Sequence, residues 1–297
     1  MKIDKNFKIT QSLGKTKEYI KKIVEITGLN QSIYIEGASG IGKSEIIAQL
    51  ASEMGAELID IRLGNIDNID LNGIGIPIKE ERKAIWTRPE FFPPENCSKK
   101  YVMFLDEFNH ATEQVFGAAY QLVLERRMGV HVLPKNVLVI GAGNSIDDQG
   151  ISFDMPSPLV NRFLKINANA NIEDWLKYAE SLKIDWKILG FLKSNPEYLH
   201  KFNGQTSEDN FPTPRNWVRL NDFKEEFEEE DFIECVLNGL FGYSLAIQFK
   251  QYLKIVSKIP SLVGILNGEE EVTTLTDLNS SYAFYMLVKS YFINNRS

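Results

Sequence analysis

The chain has 297 residues, 43% of them hydrophobic and 25% charged, a make-up that excludes disorder as its main state. Lys and Arg number 33 against 40 Asp and Glu, a formal charge of −7, so the chain lacks the global positive field of a nonspecific nucleic-acid or membrane-surface binder. Only a local basic channel is left open, and the length predicts two unequal domains.

The opening MKIDKNFKITQ has no apolar signal core. Ile20, Ile23, Val24 and Ile26 then recur at helical spacing and stop at Gly28, which predicts a leading amphipathic helix over 16–27. Residues 32–36 read as a short buried strand. The glycine cluster GASGIGKS follows, and then a helix over 44–54 whose Ile46, Ile47, Leu50 and Met54 share one face. Residues 57–62, 101–105 and 136–142 read as further strands, spaced widely enough for crossovers, and strands alternating with helices imply a parallel sheet. The long gap between the second and third strands predicts an inserted hairpin turning at KEERK. MGVHVLPKNV predicts a second one, between a helix over 112–127 and the fourth strand.

After about Ala170 the strand signals fade, and Trp175, Leu176, Trp186, Ile188, Leu189 and the run 233–249 suggest a helical second domain. KEEFEEED, residues 224–231, reads as a solvated acidic helix start or loop. The aromatic-rich segment beyond Gly268 suggests no task. Cys97 and Cys235 lie far apart without ligand spacing, so neither a disulfide framework nor a zinc site is expected. No stretch approaches the ~20 apolar residues a membrane crossing needs. The expected location is cytoplasmic.

Two segments carry chemistry. Gly37, Gly42, Lys43 and Ser44 satisfy GxxxxGK[ST] between a predicted strand and a predicted helix, the context in which that pattern binds phosphate. The loop from Gly37 through Ala38, Ser39, Gly40, Ile41 and Gly42 would turn its N–H groups inward, Lys43 would neutralise the outer phosphates, and the Ser44 hydroxyl would bind Mg²⁺. In YVMFLDEFNHA an apolar strand ends in Asp106 and Glu107, at the end of the sheet where open α/β folds hold ligands. Asp106 is the candidate to hold magnesium through water, and Glu107 to orient and polarise the attacking water. Asn109 and His110 follow and are candidates to support Glu107. His131 and His200 read as ordinary polar side chains.

On these motifs, over about residues 30–220, the chain resembles an AAA+ ATPase, specifically the MoxR-like branch of the helix-two-insert group, of the dynein-related type. The resemblance implies an α/β P-loop core with a parallel sheet flanked by helices over 1–170. A smaller all-α lid and C-terminal extension would occupy 171–297, with ATP and Mg²⁺ as cofactors. In VLVIGAGNS it gives Asn144 the sensor position at a strand end. In PSPLVNRFLKI it makes Arg162 the arginine that reaches the nucleotide of a neighbouring subunit, with Arg126 and Arg127 in reserve. In FPTPRNW it assigns Arg215 to the phosphates, on its own or a neighbour's nucleotide. Asp70, Leu71 and Gly73 match the acid-apolar-x-glycine core of the family's insert, which faces the ring's centre or a partner surface.

The activity implied is Mg-dependent ATP hydrolysis in a homo-oligomeric, hexameric ring. Its work would be to remodel or activate a protein client with a von Willebrand factor A type domain, by moving the lid against the core and dragging the hairpins. The alternative is a nucleic-acid-stimulated motor or restriction-type NTPase subunit. No NKxD guanine-reading motif is present, which favours adenine.

Overall fold

In the computed structural model, residues 9–95, 97–144, 161–201, 210–271 and 277–295 are described, and the chain divides into two compact units, Met1–Asn169 and Ala170–Ser297.

The first unit is built on a six-stranded, all-parallel sheet. Its strands are β1 (Thr10–Ser12), β2 (Ile33–Glu36), β3 (Ala56–Arg62), β6 (Lys100–Asp106), β9 (Val137–Gly143) and β10 (Leu164–Asn169), arranged in the order β1-β10-β2-β9-β6-β3. Residues 101–105 of β6 and all of β9 are buried and lack charge because both their faces are covered. Tyr101, Met103, Leu105, Val137 and Val139 join Val115, Phe116, Ala119 and Leu122 of helix α4 (Glu113–Glu125) in one core. The alternate residues Val102, Phe104, Leu138 and Ile140 are equally buried, on the side where α2 (Lys43–Glu53) packs Ile47 and Leu50 against β3 and β6. The leading helix α1 (Leu13–Thr27), capped by the Ser12 hydroxyl accepting from Lys15 N, lies against α2 and β10. The α/β reading therefore holds, with two strands added. Neither β1 nor β10 stands out in the sequence: β1 is three residues long, and β10 buries only Ile166 and Ala168.

The two hairpins also form. Between β3 and β6 the insert comprises α3 (Asn68–Asn72) and the antiparallel pair β4 (Gly75–Ile78) and β5 (Lys83–Trp86), turning within KEERK. The second hairpin pairs β7 (Arg127–Met128) with β8 (His131–Val132). They touch, with His131 Nε2 3.1 Å from Thr87 O. The acid-apolar-x-glycine pattern of the insert has a local cause. Asp70 Oδ2 accepts from Asp67 N (2.9 Å) in a capping box, Leu71 is fully buried, and Gly73 turns the chain at φ 77°.

The described residues of the second unit form helices and the turns between them: α5 (Ile172–Ser181), α6 (Trp186–Ser194), α7 (Pro214–Leu220), α8 (Glu230–Phe241), α9 (Tyr243–Val256), α10 (Leu262–Leu266) and α11 (Leu278–Asn294). Gly242 separates α8 from α9, and the acidic run ends in the first turn of α8, where Glu230 and Asp231 suit the helix dipole. Trp217 is fully buried, 4.2 Å from the Phe241 ring, and its indole N–H donates to Tyr198 O at 2.8 Å. Helix α11 packs on α6 and joins this core through Ala283 and Met286, while its Tyr285 and Phe292 are exposed. Among the described residues no helix is long and apolar enough to cross a membrane.

Candidate active site

Three strand ends converge at the carboxyl edge of the sheet, those of β2, β6 and β9, which are neighbours or next-neighbours in it. Beyond β2 the chain curls through Gly37–Gly42, held down by the buried Ile41 side chain. Gly42 has φ 109°, a conformation in which an L side chain is strained, and α2 starts at the next residue. The first N–H groups of α2 lie beyond the reach of the helix's own carbonyls and point with the positive end of its dipole, as an anion site requires. Lys43 folds back over the loop: its ammonium donates to Gly37 O (2.7 Å), Ala38 O (2.9 Å) and Asn144 Oδ1 (3.0 Å).

The next residue reaches the second strand end. Ser44 Oγ donates to Asp106 Oδ2 at 2.8 Å, and Asp106 Oδ1 accepts from Glu107 N, also at 2.8 Å. The negative charge of Asp106 is felt on β3, where burial first and Asp106 second raise the Asp60 carboxyl above its usual range. Glu107 stands at φ 53°, ψ 38°, a left-handed conformation costing about 1–2 kcal/mol for a residue with a Cβ. The turn is locked from both sides: His110 N donates to Glu107 O at 2.8 Å, and the fully buried Phe108 packs edge-on against Tyr34, Phe116 and Phe163. Glu107 Oε2 lies 3.2 Å from where a Cβ on Gly64 would stand, so the carboxylate projects over the loop that follows β3.

Asn109 does not support Glu107 as expected. Its amide turns to the third strand end, accepting from Asn144 N and donating to Asn144 O, both at 3.1 Å. Gly143 makes that approach feasible, because a Cβ there would stand 2.0 Å from Tyr34 Oη and 2.6 Å from Asn109 Oδ1. Gly143 was not singled out in the sequence, although it lies in the same GAGN run as Asn144.

No group of three or more His, Cys, Asp or Glu side chains among the described residues could cage a metal. Ser44 and Asp106 instead offer two hard oxygens on one side. That set fits magnesium, which keeps several waters and takes its remaining ligands from phosphate oxygens.

The remaining candidates sit on other elements of the chain. Arg162, just ahead of β10, is exposed and makes no ion pair among the described residues; residues 156–160 of its segment lie outside them. Arg126 is committed to structure: half-buried at the end of α4, it donates to Leu29 O (3.3 Å), Pro134 O (3.2 Å) and Val137 O (2.6 Å). Arg127 donates to Gly129 O at 3.0 Å within the second hairpin. Arg215 belongs to the second unit, exposed in the first turn of α7 behind Pro214, with Thr213 capping. His200 rests edge-on to Phe211.

Residues 32–163 match the AAA domain of the dynein-related subfamily. Among solved structures the chain is similar to a provisionally assigned ATPase from Cytophaga hutchinsonii (15% identity, 93% of this chain and 82% of that one, TM-score 0.42). It is also similar to the Holliday junction branch migration motor RuvB of Thermotoga maritima (14% identity, 92% and 86%, TM-score 0.42) and to NtrX from Brucella abortus in complex with ADP (14% identity, 74% and 50%, TM-score 0.43).

Proposed function

We propose that this chain, which carries an AAA ATPase domain over residues 32–163, hydrolyses ATP with magnesium in a ring of identical subunits and uses the energy to remodel a partner protein. The observation that carries the reading is the contact of one helix start with two strand ends: Lys43 with Asn144, and Ser44 with Asp106. A phosphate chain laid along Gly37–Gly42 meets the loop N–H groups and the Lys43 ammonium, which would exchange its carbonyl partners for phosphate oxygens. Magnesium, held by Ser44 and through water by Asp106, would neutralise charge on the outer phosphates. Glu107 orients and polarises the attacking water, and the Asn144 amide, whose Oδ1 accepts from Lys43, would hold the γ-phosphate or that water.

The exposed Arg162 is proposed to complete the site of a neighbouring subunit, where an arginine can supply ~10³–10⁵ in rate, and Arg215 to engage nucleotide phosphates. The remodelling role, MoxR-like and with a von Willebrand factor A type client, rests on the resemblance. The exposed Ile76, Ile85, Val130 and Val132 on the two hairpins support contact with a partner. Mixing two dead variants tests the shared site. Arg162→Ala and Lys43→Ala should each abolish phosphate release, and a mixture should regain part of it, because mixed rings contain some intact sites. No recovery across mixing ratios would refute shared sites. Stimulation by DNA that disappears with salt would replace the client reading with a nucleic-acid motor.

A further inference from the structure

We infer that Asn109 is a positioning residue for hydrolysis, one that holds Asn144 in place from the same turn that presents Glu107; the inference rests on the hydrolytic reading above. Strand β9 ends at Gly143, and its β6 neighbour pairs only as far as Leu105 with Gly141. Beyond that pair β6 has one residue left, Asp106, and it ladders with Arg62 of β3 and not with β9. The Asn109 carboxamide takes over: Oδ1 accepts from Asn144 N and Nδ2 donates to Asn144 O, both at 3.1 Å. This is the two-bond exchange made by a hydrogen-bonded antiparallel pair, here closed by a side chain at the end of a parallel strand. The side chain is 6% exposed, so water competes poorly for either bond.

Two features tie this amide to the chemistry and not only to the fold. Asn109 sits in the turn Phe108–His110 that starts directly after Glu107, so one short segment carries both the carboxylate and the amide that holds Asn144. Asn144, fixed at both backbone groups, sends Oδ1 to Lys43 Nζ at 3.0 Å. The acid loop, the end of β9 and the phosphate loop are thereby joined through the side chains of Asn109, Asn144 and Lys43. Only a carboxamide fits. An ionised carboxylate would set a second acceptor against Asn144 O, and an aliphatic side chain would leave both backbone groups unpaired.

The test uses the full chain and follows ATP affinity and phosphate release for Asn109→Asp, which is nearly isosteric, and Asn109→Ser, each in the wild-type and Asn144→Ala backgrounds. Misplacing a positioned group by about an ångström costs ~10²-fold. We therefore expect kcat to fall roughly 10- to 100-fold with ATP affinity within about threefold. In the Asn144→Ala background the same substitution should cost less than about threefold, since nothing is left to position. Equal losses in both backgrounds, or lost affinity with kcat intact, would overturn the inference. If the wild type is active but Asn144→Ala leaves phosphate release unchanged, the inference falls and hydrolysis stands; if the wild type releases no phosphate, both fall.

Discussion

Replacing Glu107 by Gln separates binding from chemistry at one atom. Among the described residues, both hydrogen bonds of Glu107 run through its backbone, N–H to Asp106 Oδ1 and O from His110 N, each 2.8 Å. Gln has the same length and meets the same φ of 53°, so stability should change by less than about 0.5 kcal/mol. The groups proposed to meet phosphate, Lys43 and the loop N–H groups, are untouched, and removing one negative charge beside Asp106 favours an anionic ligand. What disappears is the carboxylate proposed to polarise water. General-base assistance contributes ~10²–10⁴ in rate, which at about 1.4 kcal/mol per tenfold is roughly 3–5 kcal/mol on the barrier. Retention of labelled ATP should therefore match or exceed the wild type, while phosphate release falls at least a hundredfold. Phosphate release within threefold of the wild type, with an unchanged thermal melt, would refute the assignment of Glu107. Lost retention would make it a binding residue instead.

Gly143→Ala places a Cβ 2.0 Å from Tyr34 Oη and 2.6 Å from Asn109 Oδ1; overpacking of this kind costs about 1–3 kcal/mol, so the melting temperature and phosphate release should fall together, and an unshifted melt would contradict the packing. Asp185 caps α6 by accepting from Lys187 N at 2.8 Å, and burial, only partly offset by that bond and by Lys187 and Lys224, raises its carboxyl above the usual range. Ionising it costs the folded state above that raised value, whereas below the ordinary carboxylate range both states are protonated and nothing is lost. Asp185→Asn keeps the cap and should raise the melting temperature at pH 7, with the gain shrinking as the pH is lowered into the acid range; a pH-independent gain would contradict this cause. Trp217→Phe keeps a ring against Phe241 but leaves Tyr198 O without its 2.8 Å donor, and denaturant unfolding should register a loss of about 1–3 kcal/mol.

The phosphate loop and the acid-ended strand were legible because each is contiguous: their function depends on neighbours in sequence, and a parallel α/β sheet delivers strand ends to one edge by construction. The hairpin at KEERK was legible for the same reason, since a turn and its flanking strands are local. Strand β10 was not, because its partners β1 and β2 lie over a hundred residues away and half of it faces outward. The role of Asn109 was invisible for a different reason. A residue in a turn can aim either way, and only the fold of β9 beside it decided that the amide meets Asn144 and not Glu107. For Arg126 and Arg162, the chain shows two arginines of equal charge. Three carbonyls claim the first, and the second is left exposed.

One binding and turnover assay reaches the centre of the account. The purified full chain, with ATP and magnesium and no phosphate acceptor, should retain nucleotide and liberate inorganic phosphate, and Lys43→Ala should abolish both while melting as a folded protein. A wild-type chain that neither holds ATP nor releases phosphate, or a Lys43→Ala variant that does both, would contradict it.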